Sequence, residues 1–102
     1  MSVVLTATVH PAPGRLDEVL AAFARHVGTV HQEPGCELYA LHVSGDDIVL
    51  IEKWAGEEQL QRHSQGAALA ALNAELTGLL AGPADLVQLT PHPAGEPAKG
   101  AL

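Results

Sequence analysis

Aromatic side chains are almost missing from this chain: Phe23, Tyr39 and Trp54 are one of each kind and make up 3% of the residues. Cysteine occurs once, as Cys36, and only five residues are Lys or Arg. Each scarcity excludes something. With three aromatics the core must be aliphatic, and Leu, Val, Ile and Ala supply most of the 47% hydrophobic content. A single cysteine excludes an intrachain disulfide and fits a reducing compartment. Five scattered basic residues against twelve acidic ones, a net charge of −7, leave no basic stripe for a phosphate backbone, so no nucleic-acid partner is expected. No apolar run reaches the roughly eighteen residues of a membrane-spanning helix. The N-terminus lacks the basic start and apolar centre of a secretory signal. The expectation is a soluble, cytoplasmic, acidic protein with no membrane partner.

What is present is one domain's worth of alternating patterns. A chain of 102 residues buries about two-thirds of its unfolded surface, enough for a single core. Ser2 to His10 reads as a strand, with Leu5, Ala7 and Val9 on one face and Val4, Thr6, Thr8 and His10 on the other. Pro11, Pro13 and Gly14 end it. A helix is expected from about Arg15 to His31, with Asp17 and Glu18 in its first turn, where the helix dipole favours them. Its apolar stripe is Leu16, Val19, Leu20, Phe23, Val27 and Val30. Pro34-Gly35 breaks it. Strands follow over Cys36–Ser44 and Ile48–Trp54, joined by Gly45-Asp46-Asp47, a hairpin signal. Glu57 to Ser64 reads as a short helix, Gly66 punctuates, and a second helical segment runs to about Leu80 with Leu69, Leu72, Leu76 and Leu79 inward. Gly82-Pro83 stops it before a last strand over Asp85–Thr90. The domain therefore spans 1–90, and 91–102 is a Pro/Gly/Ala tail expected to be loosely held.

The order β-α-β-β-α-β, with the second helix broken in two, is the split βαβ or ferredoxin-like pattern: an α+β fold with a four-stranded antiparallel sheet and helices on one face. The third strand is apolar on both parities, because Ile48 and Leu50 alternate with Val49 and Ile51. Helices cover only one face, so the other needs a partner. A homodimer whose sheets pack face to face is the economical solution.

With these elements placed, the stretch from about Val3 to Thr90 resembles the antibiotic biosynthesis monooxygenase domain family, a group of dimeric α+β barrel proteins that includes quinol monooxygenases. The resemblance rests on Pro13-Gly14 at the helix entry, Glu33-Pro34-Gly35-Cys36 leading into a strand with Tyr39, and Ile51-Glu52-Lys53-Trp54. Glu57/Glu58, Leu60 and His63 in the following helix complete it. It implies a cofactor-independent monooxygenase that oxidises a small aromatic hydroquinone or polyphenol with O2, using no metal or flavin. Other members of the family degrade haem or isomerise small signalling molecules. The haem-degrading members rely on an asparagine in the first strand and a tryptophan in the second helix; this chain has neither, so haem is not expected. Many relatives carry a second histidine about five residues after the position of His63. Here that position is Ala68. The alternative reading is a non-catalytic dimeric domain that binds a small hydrophobic ligand.

The candidate residues divide by role. His63 lies three residues after Leu60 on one helix face, so it is either a base for a phenol, because imidazole titrates near neutral pH, or a helix histidine tied to a backbone carbonyl. Trp54 either forms a flat wall for an aromatic substrate, with its indole N–H as a donor, or closes the end of the core. The Tyr39 hydroxyl either orients a quinone oxygen or reaches solvent at the sheet edge. Phe23 packs the core and shapes a pocket beside it. Glu52 is a candidate acid or base if it faces inward, and otherwise a strand-end charge in water. Thr6 and Thr8 read as β-formers at a dimer interface. His10 and His42 have the means to approach each other, but no third ligand is spaced for a metal. Cys36 has nothing nearby to activate it. His26, His31 and His92 have no defensible pairing, and no nucleotide fingerprint is present.

Overall fold

Period-two burial in the third strand sets the architecture. In the computed structural model, which describes residues 1–102, Ile48, Leu50, Glu52 and Trp54 are buried while Val49, Ile51 and Lys53 are half-buried on the opposite face. The elements follow in the order β1 (Val3–Val9), α1 (Leu16–His31), β2 (Cys36–Ser44), β3 (Asp47–Trp54), α2 (Glu57–Ser64), α3 (Ala67–Leu76) and β4 (Asp85–Leu89). The sheet order is β2-β3-β1-β4, and every neighbouring pair is antiparallel. This is the ferredoxin-like α+β arrangement, with three helices.

Register decides what faces what. Ala7 pairs with Leu50 on β3 and Leu86 on β4, and Leu5 pairs with Glu52 and Gln88. Tyr39 of β2 pairs with Glu52 from the other side. Leu5, Ala7, Tyr39, Leu50 and Glu52 face the helices. The α1 residues Val19, Ala22, Phe23 and Val30 are buried against them, as are Leu72 and Leu76 of α3. Large apolar side chains each contribute about 1.5–3 kcal/mol when fully buried. The stripe on α1 accounts for its position: Leu16, Leu20 and Val27 pack at the margin of the same core.

Two boundaries differ from the sequence pattern. The β2–β3 loop is only Gly45-Asp46, because Ser44 pairs with Asp47. Gly45 takes a φ of +61° while Asp46 does not turn positive, the two-residue hairpin pattern with glycine first. The third helix stops at Leu76, not near Leu80. Gly78 turns the chain at φ +81°, and the backbone of 79–81 then bonds to the segment after β1: Ala12 N–H donates to the Leu79 carbonyl and Ala81 N–H to the His10 carbonyl, both at 2.8 Å. Backbone groups of 79–81 are thus committed to strand-like partners, so the helix cannot continue through them.

His10 does not meet His42. Its Nδ1 lies 3.1 Å from Asp47 Oδ1 and its Nε2 2.7 Å from Asp85 Oδ2, so one imidazole ties the end of β1 to the starts of β3 and β4. In the tail, Lys53 Nζ donates to the Leu102 oxygen at 2.8 Å. No helix is long and apolar enough to cross a membrane.

Candidate active site

The turn between α1 and β2 supplies the first half of the site. Glu33 N–H donates to the Val30 carbonyl and Cys36 N–H to the Glu33 carbonyl, which fixes Glu33 between helix end and strand start. Gly35 follows at φ +81°, and a Cβ there would stand 2.3 Å from Cγ of Gln59 on α2. Only glycine lets the turn and α2 approach this closely. The approach brings His63, in the last turn of α2, onto Glu33: Nδ1 and Glu33 Oε1 are 2.9 Å apart. Gly66, just beyond the helix, completes the fit, since a Cβ there would lie 3.3 Å from Glu33 Oε2.

His63 is only 4% exposed and has aromatic neighbours on two sides. Trp54 stacks on it at 4.5 Å between ring centroids and 29° between planes, and Tyr39 meets it edge-on at 5.4 Å. Trp54 also donates its indole N–H to Glu52 Oε1 at 3.0 Å. Glu52, equally buried at 4%, places the same oxygen 4.0 Å from His63 Nε2. That distance is too long for a hydrogen bond. An ionised carboxylate only accepts, so Glu33 fixes the proton on Nδ1 and leaves the Nε2 lone pair free.

These groups sit at one end of a cavity of about 350 Å³ between the sheet and the helices. Its walls are aliphatic, with Leu5, Leu50, Leu72 and Leu76 among them, and Phe23, Tyr39, Glu52 and His63 line it as well. Every buried side-chain nitrogen or oxygen has a partner. Tyr39 Oη, Glu52 Oε2 and His63 Nε2 make no protein hydrogen bond, and all three residues line the cavity. Burial raises the pKa of Glu52 above the ordinary carboxylate range; the Trp54 hydrogen bond, and His63 whenever it is protonated, act in the opposite direction. Burial, then the charges of Glu52 and Glu33, push the Tyr39 hydroxyl well above its usual value. The site therefore gathers an imidazole (His63), a buried carboxyl (Glu52) and a phenol (Tyr39) around one space.

Of the residues singled out in the sequence, His63, Tyr39, Phe23 and Glu52 line this one cavity, whereas Trp54 does not. Trp54 has no exposed surface and stands behind His63 as a support. Glu52 faces inward, not to water at a strand end. Glu33 is the site residue that sequence reasoning left out; the Glu-Pro-Gly run after a helix was its only signal, read as punctuation. His31 is occupied elsewhere, its Nε2 donating to the Tyr39 carbonyl oxygen at 3.0 Å, and His26 pairs with Glu75 at the α1–α3 contact. Cys36 is half-buried, and burial raises its pKa. No group of three or more His, Cys, Asp or Glu side chains is gathered to hold a metal ion.

Comparison with known proteins agrees with the fold. The model of the family described as antibiotic biosynthesis monooxygenase matches residues 2–75. No curated protein matches the chain in sequence. Among solved structures, Rv0793 from Mycobacterium tuberculosis superposes with a TM-score of 0.82 at 23% identity, covering 94% of this chain and 100% of that one. PA3566 from Pseudomonas aeruginosa gives 0.78 at 25% identity, over 86% and 91%.

Proposed function

Because the chain belongs to the antibiotic biosynthesis monooxygenase family, we propose that its cavity takes a small dihydroxylated aromatic and that His63 starts its oxidation by O2. The observation that carries the proposal is a buried imidazole held at Nδ1 by Glu33, with Nε2 open to an apolar cavity beside Glu52. Nε2 takes the proton of a phenolic hydroxyl, and Glu33 stabilises the imidazolium that forms. The phenolate is electron-rich and passes one electron to O2. The resulting semiquinone and superoxide combine, forming one C–O bond, and loss of water breaks the O–O bond. In balance, one dihydroxybenzene and one O2 give one hydroxyquinone and one water. The ring keeps one oxygen atom of O2 and loses two hydrogens to the other, so the substrate itself supplies both electrons that reduce the second oxygen atom. Aliphatic walls suit this step because they admit O2 and keep water from the anion.

A homodimer through the open sheet face belongs to the same proposal. On that face Thr6, Ala40 and Ile51 share a row with Val87, and Val87 and Leu89 are 52% and 42% exposed. A second copy would cover these side chains.

Oxygen consumption with a panel of hydroquinones and catechols tests the enzymatic reading. Uptake above autoxidation that falls by about 10²-fold or more in His63→Ala, at matched folded concentration, is the expected result. Equal uptake in both proteins removes His63 from the chemistry. Thermal stabilisation by the same compounds without any uptake points to a ligand-binding domain, the reading that Ala68 in place of a second histidine favours.

A further inference from the structure

The polar groups of the cavity lie in one row of the sheet. Tyr39 and Glu52 are paired neighbours on β2 and β3, with Leu5 next on β1, and His63 comes down onto this row from α2. The next row toward the other end is Leu50, Ala7 and Leu86, and beyond it lie Val9 and Leu80. Only two other polar side chains reach the cavity. Ser64 follows His63 at the same end and donates its hydroxyl to the Leu60 carbonyl at 3.0 Å. Asn73 lies on an exposed part of α3. The buried hydrogen-bonding capacity is therefore one-ended.

We infer that the cavity selects aromatics whose two oxygens are vicinal, as in a catechol, over those whose oxygens lie across the ring, as in a para-hydroquinone. The inference rests on the reading of His63 as an acceptor at Nε2, and it deepens that reading. His63 Nε2 and Glu52 Oε1 are 4.0 Å apart, a span that the two adjacent hydroxyls of a catechol cover, one donating to the imidazole and the other meeting the Glu52 carboxyl. Both stay within the same polar row, where Tyr39 Oη is the remaining partner. A para hydroxyl is carried instead into the rows of Leu50, Ala7, Leu86 and Val9, whose side chains are all apolar. A buried hydroxyl without a partner weakens binding by about tenfold or more.

Anaerobic calorimetric titration with 4-propylcatechol and 2-propylhydroquinone, which have the same atoms, tests this without turnover. The expected result is at least about tenfold tighter binding of the catechol. Glu52→Gln keeps an acceptor for Trp54 and a polar group for the ligand, so the preference survives in it; in Glu52→Leu it collapses. If Glu52→Leu does not fold, Tyr39→Phe is the second probe and narrows the preference. Equal affinities, tighter binding of the hydroquinone, no binding of either compound, or a preference unchanged in both Glu52→Leu and Tyr39→Phe overturns the inference. Tight catechol binding without O2 uptake would refute the oxygenase reading and leave the selectivity standing. Uptake without selectivity would do the reverse.

Discussion

Four residues share one problem, which is how to keep an imidazole and a carboxyl close together in a dry place. Glu33 solves half of it by holding the proton on Nδ1 of His63, and Trp54 solves the other half by donating to Glu52 and stacking on the imidazole. Glu52 nevertheless remains a carboxyl in an apolar setting, and its charge costs stability. The sign follows from its raised pKa. Below about 4.5, its ordinary value, Glu52 is neutral in both folded and unfolded chains and the cost is absent. As the pH rises through the raised folded value, the unfolded chain ionises first and the folded state loses stability, with the full penalty above that value. Glu52→Gln removes the ionisable group and keeps the acceptor for Trp54. It should therefore raise the thermal midpoint at pH 7, and the gain should shrink as the pH falls toward 4. A thermal melt of both proteins across that range checks it; a gain that is flat with pH would contradict the account. His63 was legible in the sequence from its place on α2, but Glu33 was not. The two are 30 residues apart, and their contact exists only once α2 has docked on the turn.

At the level of elements, that docking depends on Gly35. Its backbone is left-handed at φ +81°, its missing Cβ makes room for Gln59, and its carbonyl accepts the Ala55 N–H at 2.8 Å. Gly35→Ala would place a side chain where backbone and space both oppose it, at a cost of about 1–2 kcal/mol. Because the clash is with α2, oxygen uptake should fall by more than the loss of folded protein explains. Denaturant titration together with uptake at matched folded concentration measures both, and an unchanged midpoint and rate would refute this role for the turn. The helices and strands themselves were readable because their patterns are local: a stripe at helical spacing on α1, alternation on β1 and β3. The end of α3 was not readable. Leu79 and Leu80 continue its apolar pattern, but their backbone is claimed by residues 10–12, a pairing no local pattern contains. Trp54 shows the same limit. Strand parity puts it on the helix side with Glu52, yet only the packed structure puts it behind His63 and out of the cavity.

The whole molecule presents one face covered by helices and one that is open except at the Val4 end, where Ala101 and Leu102 of the tail gather beside Val4 and Leu89. Helices bury the side with Ile48, Leu50 and Trp54, whereas β4 is exposed along its length and Val49 and Ile51 are only half-buried. If a second copy covers this face, Ile51→Glu places a charge in the centre of the contact without touching the core. Sedimentation should then move from about twice the 10.6 kDa chain mass to the single chain, with the helical content unchanged. A wild-type protein that sediments as a monomer would end the dimer proposal. Both apolar parities of β3 were visible in the sequence, which is why the open face was expected; what the cavity accepts was not, because it depends on the rows that register creates. The central claim is that one atom of O2 enters a substrate whose proton His63 has removed. Turnover of a catechol or hydroquinone under ¹⁸O2, with mass analysis of the early product and a peroxide assay, tests it most directly. The account predicts one ¹⁸O atom in the product, no accumulation of peroxide, and loss of both product and uptake in His63→Ala. An unlabelled quinone formed with stoichiometric peroxide, or labelled product formed equally fast by His63→Ala, would contradict it.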